Sequence, residues 1–257
     1  MREHKTTAFL VLLTITAVVA TSTATLRSRS QDSSPTKKQK DEERYKQRLE
    51  LEQQFPIVDF TAPEPSDPVE LTKRRRIGKK HDKADLSIDE RADTIMSTLD
   101  WAVGLPALPV AQSQAIVIGE IINAQAYLSN DKTSVYSEFT VRVDEVLKDG
   151  DGALLSSNNP VAVERSGGRV KFPSGHVTLQ LINGQRMPRQ GRRYVLFLTR
   201  ANQEDNYEIL TGYELRAGRV FPLDSPGGDT HPMAAYKGIE ESSLLKDLRA
   251  AIANPLN

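Results

Sequence analysis

The chain has 257 residues, of which 38% are hydrophobic and only 6% aromatic, a low share for a chain of this length that folds throughout. Its 34 Lys and Arg balance 34 Asp and Glu, so no net charge draws it to nucleic acid. Cysteine is absent, which excludes disulfides, thiolate metal sites, a cysteine nucleophile and a lipid-modified leader cysteine.

Arg2 and Lys5 precede a run of 21 uncharged residues, Thr6 to Leu26, with an apolar centre and the small-x-small site Ser22-Thr23-Ala24 near its end. This is the pattern of a secretory signal peptide. A spanning helix needs about 20 apolar residues, and this run reaches that only by counting seven Thr and a Ser. An uncleaved membrane anchor over residues 6–26 is therefore the alternative. Both readings place the rest of the chain outside the cytoplasm, secreted or periplasmic, with the membrane touched only through this segment.

Residues 27–108 are polar and charged and are expected to form a largely disordered spacer. A helical segment is expected over about 37–55, where Tyr45, Leu49, Leu51 and Phe55 make a thin apolar stripe. Ala62 to Pro68 carries three prolines and should be extended. The basic run Lys73-Arg74-Arg75-Arg76-Ile77-Gly78-Lys79-Lys80 has no interleaved aromatic residue to stack bases. It is expected to be a solvated linker, with attraction to anionic head groups as the functional alternative. A short helix is expected over Leu86 to Leu99, with Ser87 as N-cap and Glu90 as its capping-box partner. Trp101, Leu105, Leu108 and Val110 should lay an extended segment on the folded domain.

That domain is expected over residues 109–257. Ala115 to Ala126 predicts a strand with Gly119 marking a bulge or sharp bend. Ser129-Asn130-Asp131-Lys132 supplies a turn. Val135 to Leu147 follows as a strand in which Phe139, Val141 and Val143 alternate with Glu138, Thr140, Arg142 and Asp144, giving one dry and one wet face. Its apolar phase slips near Glu145, which predicts a second bulge. Shorter strands are expected over 161–165, 169–172, 176–182, 207–210 and 213–221, with Gly167-Gly168 and Gly218 at turns. The unbroken apolar run Tyr194 to Leu198 predicts a strand buried on both faces. An amphipathic helix over 239–253 lines up Leu244, Leu245, Leu248, Ala251 and Ile252, and Pro255 ends it. The expected fold is mainly β: a small closed or partly open antiparallel barrel with one C-terminal helix.

Gly119 followed by the Phe139, Val141, Val143 and Val146-Leu147-Lys148 pattern, and Gly167-Gly168 followed by Pro188, Gly191 and the Tyr194 to Leu198 strand, resemble a domain of exported bacterial proteins. That domain is similar to the OB-like barrels of the netrin and metalloproteinase-inhibitor type. The resemblance covers about 115–223 and implies a fold. The inhibitory activity of that family depends on cysteines, which this chain lacks.

The four histidines, at 4, 81, 176 and 231, show no metal-ligand spacing. Ser166 or Ser174 with His176 and Asp144 could be assembled into a nucleophile, base and acid, but no nucleophile-elbow signature supports them. A calcium loop beginning at Asp149 would need Glu at its twelfth position and meets Pro160. No catalytic residue, cofactor or metal is therefore expected. Arg165, Arg169, Arg192, Arg193 and Arg219 form the candidate binding face, as in barrels that present a basic groove. The expected function is a non-enzymatic binding module of the cell envelope, with an envelope protein or an anionic polymer as partner and no nucleic acid. A hydrolase with its site in the barrel mouth is the alternative from another class.

Overall fold

A computed structural model of the chain describes residues 55–83, 87–97, 104–150, 155–200, 206–224 and 231–254, together with 42, 46 and 53. The chain divides into two units, 1–42 and 43–257, and the architecture below is that of the second. The leader, Trp101, the glycines at 227 and 228, Pro255 and most of the segment expected to be helical over 37–55 lie outside the described residues.

Period-two patterning builds the two longest elements, β3 (Ala115–Leu128) and β4 (Val135–Asp149), which pair antiparallel through the turn at 129–134. Phe139, Val141 and Val143 are fully buried, and Arg142 and Asp144 are exposed. The register slips at Ile116/Val117 and at Ile118/Gly119, leaving Leu147 and Asp144 as the extra residues on β4. The phase slip near Glu145 is thus a pair of bulges, and Gly119 sits at the second, where a Cβ would lie 2.6 Å from the Arg142 carbonyl oxygen. A third slip makes Ile122 the extra residue on β3.

Four further strands complete a six-stranded sheet. They are β5 (Pro160–Ser166), β8 (Arg193–Arg200), β9 (Tyr207–Arg216) and β10 (Arg219–Pro222), in the order β10-β9-β5-β4-β3-β8. An additional β9–β8 pairing makes the hydrogen bonding ring-like. Every pairing in it is antiparallel except β5–β9. Tyr207 to Arg216 is one strand rather than part of two, and the chain reverses at Ala217-Gly218, both at positive φ. Inside the ring Val117, Ile121, Phe139, Val141, Leu196 and Ile209 form one core. Ile116, Ile118, Val195 and Phe197 point the other way and meet Leu244 and Leu248 of the C-terminal helix α2 (Glu241–Ala253). β8 and the first part of β3, residues 115–119, are therefore buried on both faces, which is why the 194–198 run is unbroken by charged residues.

The polar stretch ahead of residue 109 contributes more regular structure than its composition predicts. β1 (Ile57–Asp59) and β2 (Thr94–Ser97) add in parallel to the edges of a hairpin, β6 (Gly168–Lys171) and β7 (Val177–Ile182), giving the order β1-β6-β7-β2. The helix expected over 86–99 is instead a turn followed by β2, because Thr94 to Ser97 finds the free edge of β7. The basic run is no solvated linker. It is the last two turns of helix α1 (Pro68–Lys80), started by Asp67, whose carboxylate accepts from the backbone N–H groups of Val69 and Glu70. Ile77 is fully buried, and Lys73, Arg74 and Lys80 reach carboxylates on the sheet. Partners supplied by tertiary structure override the solvated reading of a charge run.

Candidate functional site

The five arginines expected to share a face do not share one. Arg165 is buried, and its Nη2 donates to Asp224 Oδ2 at 2.6 Å. Arg193 pairs with Asp144 and Glu241 at 2.9 and 2.8 Å, beside α2. Arg192 lies 4.0 Å from Glu214, and Arg219 lies 3.9 Å from Glu240. Arg169 lines a concavity. Alternation along strands and long-range acids, invisible in a linear sequence, scatter them.

That concavity is a cleft of about 590 Å³ lined by Phe55, Ile57, Gln125, Arg169, Arg189 and Gln190, among others. Three segments build it. The first is the arm leading into β1, where Phe55 is buried and its carbonyl accepts from Arg169 Nε at 2.8 Å. The second is β3 just past the bulge. Ile122, exposed at 39%, is turned outward there, and Tyr127 holds Gln125 by donating its hydroxyl to Oε1 at 2.6 Å. A bulge re-aims side chains at the rim of a sheet, which explains an exposed isoleucine beside a buried one. The third is the turn before β8, fixed by Gly191 at positive φ, with Gln190 Nε2 donating to the Ile122 carbonyl at 3.0 Å. The Arg189 N–H donates to the Tyr194 hydroxyl at 2.9 Å. Burial pushes that phenol up to about 12. No Asp or Glu is among the described lining residues.

A second cluster lies under the C-terminal end of α1. Lys80 bridges Glu164 on β5 and Glu208 on β9. The His81 ring stacks on Tyr136 with centroids 4.5 Å apart. Its Nδ1 is 3.3 Å from Ser166 Oγ, and its Nε2 is 3.7 Å from Glu164 Oε2, too long for a hydrogen bond. Burial alone would raise Glu164, but His81 and Lys80 hold it below the usual carboxylate range. Ser166 therefore meets His81 rather than His176, which faces Ala92 and Asp93, while Asp144 is held by Arg193. The crevice beside Ser166 measures about 10 Å³, room for about one water. This cluster fastens the arm to the sheet.

Among the described residues no group of three or more His, Cys, Asp or Glu could hold a metal, and no helix is long and apolar enough to cross a membrane. No protein-family model matches the chain, and no curated protein matches it.

Of the cleft residues, the sequence singled out only Arg169 for binding. The signal for the β3 side was the Ile121-Ile122 doublet: two adjacent apolar residues in an alternating strand require either a bulge or an exposed side chain.

Proposed function

We propose that this chain is an exported, non-enzymatic binding module of the cell envelope, built on a closed or partly open OB-like barrel, that takes its ligand in the cleft between the arm and the strand ring. The barrel reading is supported by the ring β3-β4-β5-β9-β8, with its one parallel pairing between β5 and β9. Export is supported by the leader. The observation that carries the binding role is the cleft itself, where the exposed Ile57 stands among the amides of Gln53, Gln125 and Gln190 and the guanidinium groups of Arg169 and Arg189.

Two measurements test it. N-terminal sequencing of the mature chain should start after Ala24, and an intact Met1 or Arg2 would make the module membrane-anchored instead. A photo-crosslinking residue at Gln125 or Gln190 of the exported protein should yield adducts that the same residue at Lys246, on α2, does not. Equal labelling at all three positions, or none at the first two, overturns the cleft as the site.

The anchored reading has one observation in its favour. Lys79 is exposed on α1 beside Arg75, which pairs with Glu64 at 2.8 Å, so anionic head groups would compete with that carboxylate there.

A further inference from the structure

Three side chains border the cleft with part of their hydrogen-bonding capacity unused, and their protein contacts fix which part. Gln125 Oε1 accepts from the Tyr127 hydroxyl at 2.6 Å, which leaves the Nε2 protons to be donated. Gln190 is oriented the other way. Its Nε2 donates to the Ile122 carbonyl at 3.0 Å, which leaves Oε1 as an acceptor. Arg189 is exposed, and among the described residues no carboxylate pairs with its guanidinium. Its backbone is fixed by the N–H bond to the Tyr194 hydroxyl at 2.9 Å. Arg169 is already engaged: its Nε donates to the Phe55 carbonyl, and it makes a further interaction. The cation open to a ligand is therefore Arg189.

A ligand that meets this set offers an anion, an acceptor and a donor, with an apolar group for Ile57, which is 43% exposed. The last residue of a peptide brings all four together. We infer that the cleft takes the free carboxy-terminus of a peptide whose final residue is apolar. The carboxylate goes to Arg189, whose guanidinium matches it in a two-point contact. The final N–H meets Gln190 Oε1, the carbonyl before it meets Gln125 Nε2, and the final side chain rests on Ile57. Because β1 packs against β3, the peptide lies over the seam between them and joins neither as a strand. Gln125 stands on a paired strand and Arg189 on a turn closed by Gly191 at positive φ, so the ordering cost falls on the ligand. The described lining residues include one aromatic, Phe55, and it is buried. No ring face is open to a sugar there, which favours a peptide over an anionic glycan. This inference rests on the cleft being the binding site.

The test is fluorescence anisotropy of the full chain with a short peptide, labelled at its amino end and ending in leucine with a free carboxylate. The same peptide with an amidated end and a labelled oligogalacturonate are the comparisons. The amidated peptide should bind roughly tenfold or more weakly, because it loses a charge-assisted pair. Arg189→Gln should bring the free-acid peptide down to the amidated one and leave the amidated one unchanged. Arg189→Lys should restore part of the difference. Gln125→Trp, which fills the cleft, should abolish binding of both peptides. Thermal unfolding of each variant establishes that it is folded. Equal binding of the two peptides, blocked by Gln125→Trp, would overturn the carboxy-terminal assignment and leave the cleft as a site. Tighter binding of the oligogalacturonate, lost in Arg189→Gln, would overturn the peptide in favour of a glycan. Binding unaffected by Gln125→Trp would overturn both the assignment and the cleft, and no binding of any peptide overturns the assignment alone.

Discussion

Arg74 on α1 forks onto Glu138 on β4, with Nη1 and Nη2 at 3.1 and 2.9 Å from the two carboxylate oxygens, across 64 residues of chain. The same guanidinium stacks 3.6 Å above the Tyr127 ring and donates from Nε to Glu70 at 2.5 Å. Both partners of the fork are nearly covered, with side-chain exposures of 10% and 13%. A bidentate pair in that setting is among the stronger ionic contacts. It makes the arm part of the folded body.

Removing Arg74 strips Glu138 of its bidentate partner and leaves it with Lys73, at 3.2 Å. Arg74→Ala should therefore destabilise the protein by about 2–3 kcal/mol, somewhat less than a fully buried pair, read from urea unfolding. Hydrogen exchange over 68–80 should rise ahead of the strand ring. Unchanged exchange in α1 would show that apolar packing at Ile77 suffices to hold it.

Arg165 and Asp224 form an ion pair whose side chains are 1% and 0% exposed. Asp224 also accepts from Thr211 Oγ1 and from the Arg186 N–H, both at 2.9 Å. Asp224→Ala leaves a guanidinium buried without its counter-charge and should cost about 3–5 kcal/mol. Asp224→Asn, which keeps the shape, should cost less. Thermal unfolding separates the two, and equal losses would show that geometry outweighs charge at this site.

The lowered pKa of Glu164 predicts a pH dependence. Its folded value lies below the ordinary 4.5 of the unfolded chain. The stabilisation is therefore fully present above that pH and lost as pH falls through the folded value. Acidification below about 4.5 should release the Lys80 contact first, seen as proteolysis within 68–83 while the ring survives. In Glu164→Gln this contribution to the acid sensitivity should vanish; an unchanged pH profile would refute the assignment.

Gly119 has no room for a side chain. A Cβ there would lie 2.6 Å from both the Arg142 carbonyl oxygen and Val141 Cγ1. Gly119→Ala should therefore cost about 1–3 kcal/mol by overpacking, measured by chemical unfolding. The same change at Gly175, where nothing lies within 4 Å but φ is +89°, tests backbone strain without a clash.

Local periodicity was enough to specify the hairpin of β3 and β4, the bulge beside Gly119, the doubly buried strand at 194–198 and the C-terminal helix. These are short-range consequences of which faces are apolar, and the alternation of Phe139, Val141 and Val143 records them directly. Tertiary structure alone decided what Lys73, Arg74 and Lys80 do. Nothing near them in sequence reveals Glu138, Glu164 or Glu208 as partners, because strand register brings those acids under α1. It also decided that Arg165 serves the interior while Arg189 borders the cleft, since a charge pattern states how many cations a segment carries but not where the opposing carboxylates fall.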